Sequence, residues 1–219
     1  MRTAVGVMAR APSSAGKLRL APHLSPSRLT SLRAALLADA LRVVEGLPDV
    51  TVFFTPDEAE PEIAALCAGT IARIPQRGGD LGARMLAALQ YLLEARQYDA
   101  ALLVGSDIPL LSVDHLTEAA DTLGTSGGVV LGPADDGGYY LIGMTEVYAG
   151  LFEQIAWGTE SVLTDTLRAA ERVGVEARLV RSAYDVDTID DLRRLERDLA
   201  SAPAGICPVV RPWFRDSAA

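Results

Sequence analysis

Apolar residues recur along this chain in two alternating rhythms. Residues 3–9, TAVGVMA, are a short apolar run that predicts a buried strand, and APSSAGKLRLAPHLSP follows as a loop rich in Pro, Ser and Gly. From Ser25 the spacing turns helical: Ser25 stands as N-cap, Pro26 in the first turn, and the period ends near Gly46. The pattern then predicts a strand at 50–56, a helix over PEIAALCAG (61–69) and a short strand over TIARIPQ (70–76). Gly79 and Asp80 open an amphipathic helix that runs to about Gln97. AALLVG, 100–105, is apolar throughout, as in a central strand buried on both faces. A helix capped by Ser112, strands over GGVVLGPA and YYLIGM, a helix from about Glu160 to Val173, a strand over ARLVRS and a helix capped by Thr188 complete the order.

Strands alternating with helices at this spacing predict one α/β domain over residues 1–200, a three-layer sandwich around a mostly parallel, Rossmann-like sheet. Residues 201–219 form a tail with three Pro and no clear period. Ligands of such sheets sit beyond the carboxyl ends of the strands. Candidate chemistry is therefore sought directly after each strand.

Composition narrows the classes. The chain has 219 residues, 49% of them hydrophobic, enough for one sizeable core. No apolar run approaches the roughly 18 residues of a membrane span, and the opening stretch is too short for a secretory signal. The expectation is a cytoplasmic protein with no membrane partner. A net charge of −9 argues against a broad nucleic-acid surface. Cys67 and Cys207 lack a close Cys or His, so neither a disulfide framework nor a zinc site is expected. His23 and His115 stand beside no obvious Ser or Cys nucleophile. Of the 20 basic residues one alone is a lysine, Lys17, in the first loop beside Arg19.

Three segments carry candidate chemistry. LLVGSDIPLL places Asp107 just past the central strand, before Pro109, which has no amide to extend the ladder; a turn or helix cap shared with Ser106 and Ser112 is the plain alternative. SAYDVDTIDDL offers Asp185 and Asp187, which alternation sends to one side of an extended segment, although a residue before a helix is ordinarily its N-cap. Asp107 with one of Asp136, Asp185 or Asp187 makes an oxygen donor set suited to a hard divalent cation such as Mg2+ or Mn2+. The third segment, ARAPSSAGKLRL, sets small residues and Gly16 before Lys17 and Arg19, so that amides and cations meet a di- or triphosphate; its spacing is not that of a Walker loop.

The blocks GSDIPLL, QRGGDLGARM, GPADDGGYYLIGM, IAWGTESVLTDTL and DVDTIDDL together resemble a bacterial glycosyltransferase-like family of the nucleotide-diphospho-sugar transferase superfamily, some of whose members are assigned to arsenosugar biosynthesis. The resemblance spans residues 3–198. It implies a glycosyltransferase-A fold that binds a nucleotide with a divalent metal, Asp107 resembling the metal-binding Asp and Lys17 with Arg19 the family's basic loop. Beside these, Asp187 is expected at the metal, and Arg10, Gly16, Gly79, Asp80, Arg84 and Ser106 at the nucleotide. Asp136 would be the catalytic carboxylate, the base toward an acceptor hydroxyl, with Gly137 and Gly138 turning the chain beneath it. Trp157, Thr159 and Glu160 would shape the acceptor side, or Trp157 would simply pack in the core. The family's basic loop usually reads PxxGxxKTRL; here it is one residue shorter, with Leu18 where Thr is usual.

Three functions follow, in order of expectation. The first is a glycosyltransferase using a nucleotide-sugar and a small-molecule acceptor. The second is a nucleotidyltransferase using a nucleoside triphosphate and a phosphorylated acceptor. The third, opened by the altered loop, is a nucleotide binder without turnover.

Overall fold

The computed structural model describes residues 1–67, 69 and 71–215. Ala68 in the predicted helix 61–69, Thr70 at the start of the predicted strand 70–76 and the last four residues of the tail lie outside the described residues. The chain runs β1 (Thr3–Arg10), α1 (Pro26–Val44), β2 (Val50–Thr55), α2 (Glu60–Leu66), β3 (Ala72–Pro75), α3 (Leu81–Gln90), β4 (Ala100–Gly105), α4 (Val113–Ser126), β5 (Val129–Pro133), β6 (Tyr139–Met144), α5 (Val162–Val173), β7 (Ala177–Leu179), α6 (Ile189–Ser201) and α7 (Val210–Arg215). The helix predicted to reach Gln97 leaves α geometry after Gln90: its last turn, Tyr91–Ala95, is π-helical, with the Arg96 amide bonded to the Tyr91 carbonyl at 2.9 Å.

One seven-stranded sheet has the order β3-β2-β1-β4-β6-β5-β7. β3, β2, β1 and β4 are mutually parallel, β5 and β7 are parallel, and β6 runs against both its neighbours. The reversal follows from length, because the five residues between β5 and β6 permit a hairpin and no crossover.

Side-chain alternation splits the sheet into two faces. Val5, Val7, Leu102 and Val104 pack with Leu37, Leu41, Ile63, Leu116 and Leu123 of α1, α2 and α4. Ala4, Ala101, Leu103 and Ile142 pack with Met85, Leu89, Ala169 and Ala170 of α3 and α5. Helices thus cover both faces, and the three-layer α/β sandwich expected from the sequence is the fold. A third cluster joins Leu32 and Leu36 of α1 to Leu192, Leu195 and Leu199 of α6 and to Cys207, Val210 and Trp213. Part of the Pro-containing tail is therefore helix, held by tertiary contacts. Among the described residues no helix is long and apolar enough to cross a membrane.

The caps decide which acidic and polar residues are left for chemistry. Ser25 accepts the Arg28 amide at 3.3 Å and Asp80 the Ala83 amide at 2.8 Å. Ser112 caps α4 together with His115, whose ring Nδ1 lies 2.8 Å from the Ser112 hydroxyl. Thr188 caps α6 in a reciprocal box with Asp191. Neither Asp107 nor Asp187 is needed as a helix cap.

Candidate active site

A cavity of about 450 Å³ opens beyond the carboxyl ends of β1 and β4, the adjacent central strands. Its basic side holds Arg10, Gly16, Lys17 and Arg33. Ser106, Asp107, Asp185 and Asp187 line it too, as do Asp136, Gly138, Trp157 and Thr159. Leu36, Leu37, Leu81 and Met85 add apolar surface.

Lys17 is the centre of this arrangement. Its Nζ donates to Asp107 Oδ2 at 3.0 Å, Asp187 Oδ1 at 2.9 Å and the Val186 carbonyl at 2.5 Å, which uses all three ammonium donors. The side chain is 9% exposed, whereas Asp107 and Asp187 are each 41% exposed toward the cavity. Burial lowers the Lys17 pKa, but the two carboxylates outweigh it and leave the ammonium above its ordinary value. Burial likewise raises the Asp107 carboxyl, and Lys17 with help from Arg33 carries it below the usual carboxylate range.

Asp185 completes the cluster. It, Asp107 and Asp187 bring one carboxylate oxygen each within 4.8 Å of one another. Val186, between the two, is fully buried and points the other way, so the alternation read in the sequence sends both flanking carboxylates into the cavity. The Val186 amide donates to the Asp107 carbonyl at 3.2 Å, which locks the two segments side by side. Burial, and then repulsion from Asp107, Asp187 and Asp136, pushes the Asp185 carboxyl up to about 7. Three carboxylates thus share one ammonium. An oxygen-only set of this kind fits a hard divalent cation and not a soft one.

The basic loop is braced from three directions. Arg10 donates to the Ala15 carbonyl at 2.9 Å, Arg33 donates to the carbonyls of Ala11 (2.9 Å) and Ser14, and Glu62 accepts from the Ser13 amide at 2.9 Å and from its hydroxyl. With the loop carbonyls drawn to the guanidinium groups, the amides of Ala15, Gly16 and Lys17 make no hydrogen bond among the described residues. Arg10 and Arg33 form no ion pair there either. Burial and the neighbouring Arg10 depress the Arg33 pKa. Gly16, Lys17 and the Arg10 and Arg33 guanidinium groups line one concavity, an arrangement chemically suited to an anion. Lys17 itself has φ +50°, the left-handed region.

Between β5 and β6 the chain turns at Asp135–Gly138. Gly137 has φ +88°, and a Cβ there would run into the Glu160 carbonyl, so only glycine fits. Asp136 Oδ1 accepts the Gly138 amide at 2.9 Å, so this residue both stabilises the turn and lines the cavity. Asp135, in the same turn, pairs with Arg194 at 2.6 Å, and the Arg194 guanidinium lies 3.8 Å over the Tyr184 ring. Trp157 stacks with Phe152 and meets Tyr139 edge-on. Its indole covers Gly82, where an added Cβ would lie 2.5 Å from the ring. Trp157 is thus both packed and on the cavity wall.

The structure gathers Arg10, Gly16, Lys17, Ser106, Asp107, Asp136, Gly138, Trp157, Thr159 and Asp187 around one cavity. Arg19, Gly79, Asp80, Arg84, Gly137 and Glu160 fall outside its lining. Asp80 is the α3 cap, Arg84 donates to the Gly78 carbonyl at 3.2 Å, and Glu160 contributes its backbone above Gly137. Sequence reasoning passed over Arg33, for which a signal exists: it occupies a position of the stripe Leu29, Leu32, Leu36, Leu37, Ala40 where the helical period calls for an apolar residue.

Residues 29–159 match the family described as "Uncharacterized protein conserved in bacteria (DUF2064)". The chain is 29% identical over 179 residues to phosphoenolpyruvate guanylyltransferase of Roseiflexus sp. (strain RS-1), a match covering 80% of this chain and 77% of that protein. Among solved structures, a protein provisionally named nucleotide-diphospho-sugar transferase from Desulfovibrio desulfuricans G20 superimposes with a TM-score of 0.86 at 27% identity, covering 98% of this chain and 97% of that one. The 4-diphosphocytidyl-2C-methyl-D-erythritol synthase from Anaerococcus prevotii DSM 20548 has a TM-score of 0.59 at 13% identity, covering 90% and 96%. The last likeness is one of fold alone.

Proposed function

This chain belongs to the DUF2064 family, and we propose that it is a metal-assisted nucleotidyltransferase that joins the nucleotidyl group of a nucleoside triphosphate to a small phosphorylated acceptor and releases pyrophosphate. The observation that carries this reading is one cavity lined by an acidic triad, Asp107, Asp185 and Asp187, together with Lys17 and Gly16 of the loop after β1 and the guanidinium groups of Arg10 and Arg33. The similarity to a guanylyltransferase supports nucleotidyl over glycosyl transfer.

In the reaction an acceptor phosphate oxygen attacks the α-phosphorus, forming a new P–O bond while the bond from the α-phosphorus to the bridging oxygen breaks. The pyrophosphate leaves with that electron pair, and no proton is moved. Arg10, Arg33 and the amides of Ala15–Lys17 hold the β- and γ-phosphates, and Lys17 offsets charge at the leaving oxygen. Asp107, Asp185 and Asp187 would hold the divalent cation, which when bound adds positive charge against the same phosphates. Asp136 and the Trp157–Thr159 segment face the acceptor. One Asp136 oxygen is committed to the Gly138 amide, which suits a reaction that needs no general base.

Glycosyl transfer is the second reading, favoured by the whole-length likeness to the nucleotide-diphospho-sugar transferase at 27% identity. The products separate the two. The protein is incubated with Mg2+, each nucleoside triphosphate and a set of phosphorylated acids including phosphoenolpyruvate. Pyrophosphate release that depends on one triphosphate and one acceptor is the expected result; release of a nucleoside diphosphate from a nucleotide-sugar, without pyrophosphate, would replace it with glycosyl transfer.

A further inference from the structure

The space between Asp107 Oδ2 and Asp187 Oδ1 is filled by an ammonium group that touches both. A divalent cation bridging those oxygens and the Lys17 Nζ cannot occupy the same point, since each needs the same lone pairs and the two repel. Lys17 also has no spare donor, because its third hydrogen bond goes to the Val186 carbonyl. By contrast Asp185, in the same triad, makes no hydrogen bond or ion pair among the described residues. The same cavity is lined by Gly16, whose amide makes no hydrogen bond among the described residues, and by Arg10 and Arg33, so an anion there would give the ammonium an alternative partner.

We propose that Lys17 is an internal counter-ion of the acidic triad, which must leave Asp107 and Asp187 before a divalent cation can use them, and which a polyphosphate on the adjacent loop draws away. Only the identity of the anion rests on the nucleotidyl-transfer reading; the competition rests on the Lys17 contacts. In the free protein the ammonium neutralises the triad and keeps its metal affinity low. An anion at the loop removes that competitor, and a cation on the triad releases the ammonium toward the anion. Cation and anion therefore bind with positive coupling, which by linkage is equal in both directions. The anion gains the freed ammonium and the cation gains two freed carboxylates.

The single lysine makes the test direct. Wild-type protein labelled with 13C-lysine carries one side-chain Cε–Hε signal, which reports Lys17 alone. Titration of ligand-free protein with Mg2+ is expected to shift that signal as the ammonium leaves the carboxylates. In parallel, Mn2+ binding to ligand-free wild type and Lys17→Met is measured by electron paramagnetic resonance, and the variant is expected to bind about tenfold more tightly, a typical coupling. Equal or weaker Mn2+ binding by Lys17→Met, a Lys17 signal that stays in place while the metal site fills, or no Mn2+ binding by either protein would overturn the proposal. The wild-type titration keeps it falsifiable if Lys17→Met does not fold. Pyrophosphate release by wild type is scored separately. Turnover with an unmoved Lys17 sinks the counter-ion and spares the enzyme; a displaced Lys17 without turnover does the reverse.

Discussion

Two sets of carboxylates in this molecule, one buried and one lining the cavity, are furnished in opposite ways. Asp39, in α1, is 6% exposed, and its two oxygens accept the amides of Val209 (3.0 Å) and Val210 (2.9 Å) at the start of α7. Each oxygen accepts one main-chain amide that has no other partner among the described residues. Asp107, Asp185 and Asp187 have between them one ammonium, and Asp185 makes no hydrogen bond or ion pair among the described residues. The first acid has a main-chain donor on each oxygen and ties the tail to the body. The second group is under-neutralised, and its charge is an affinity held ready for a ligand. Burial alone does not mark a functional carboxylate; the ratio of acids to donors does.

That contrast can be broken at four points. The largest effect is expected for Asp107→Asn, which takes charge from the lining of the cavity. Pyrophosphate release should fall about 10²–10³-fold, the loss typical of one electrostatic stabiliser, while the thermal unfolding curve stays near wild type. A turnover number within a factor of three of wild type would move Asp107 out of the site. Asp39→Ala should do the opposite, leaving two buried amides without acceptors. Stability read from urea unfolding should drop by about 2–3 kcal/mol, with kcat unchanged below the melting range. An activity loss without destabilisation would erase the distinction between the two regions.

Arg33→Ala tests the brace on the loop. The carbonyls of Ala11 and Ser14 lose their donor, so KM for the triphosphate should rise about tenfold while kcat falls less, as for lost ground-state binding. Equal falls in kcat and kcat/KM would instead assign Arg33 to the transition state. The smallest effect concerns pH. Burial raises the Asp39 carboxyl above its ordinary value, even though the amides of Val210 and Val209, with Arg42, pull it down. A raised acid favours the folded state when protonated, so its contribution is fully present below the ordinary Asp pKa and is lost as pH climbs through the folded value. The stability gap between wild type and Asp39→Asn, from urea midpoints, should therefore narrow as pH rises from about 3 to 6. A gap that widens over that range reverses the assignment.

The parts of this architecture that local chemistry dictates are legible in the chain. Ser25, Asp80 and Thr188 each mark a helix start because a side-chain oxygen must meet orphan amides. The unbroken apolar run at 100–105 can only be a strand covered on both faces. Asp107 stands out because it directly follows the central strand, whereas β7 stops at Leu179 and Asp187 is carried to the cavity by irregular chain, its freedom from capping visible only once Thr188 is seen to cap α6. What stays hidden depends on contacts distant in sequence. The six residues of α7 are too few to show a period, and their helix is fixed by Asp39 and by Trp213 packing on α1 and α6. The division of labour between Asp135 and Asp136 turns on Arg194, 59 residues away from its partner. The Lys17 contacts close loops of 90 and 170 residues, which no local pattern encodes.

The strand order has a further consequence, at the margins of the sheet. The outermost strands are the shortest two, β3 with four residues and β7 with three. Each carries an arginine at its second position, Arg73 and Arg178, and β3 closes on Pro75, which has no amide to offer. A brief, charged and proline-ended border is a poor template for a strand from another molecule. The long apolar strands that make the core are all interior, so the sheet ends on both sides before it can recruit a neighbour, and crowding should not drive copies of this chain to fuse edge to edge.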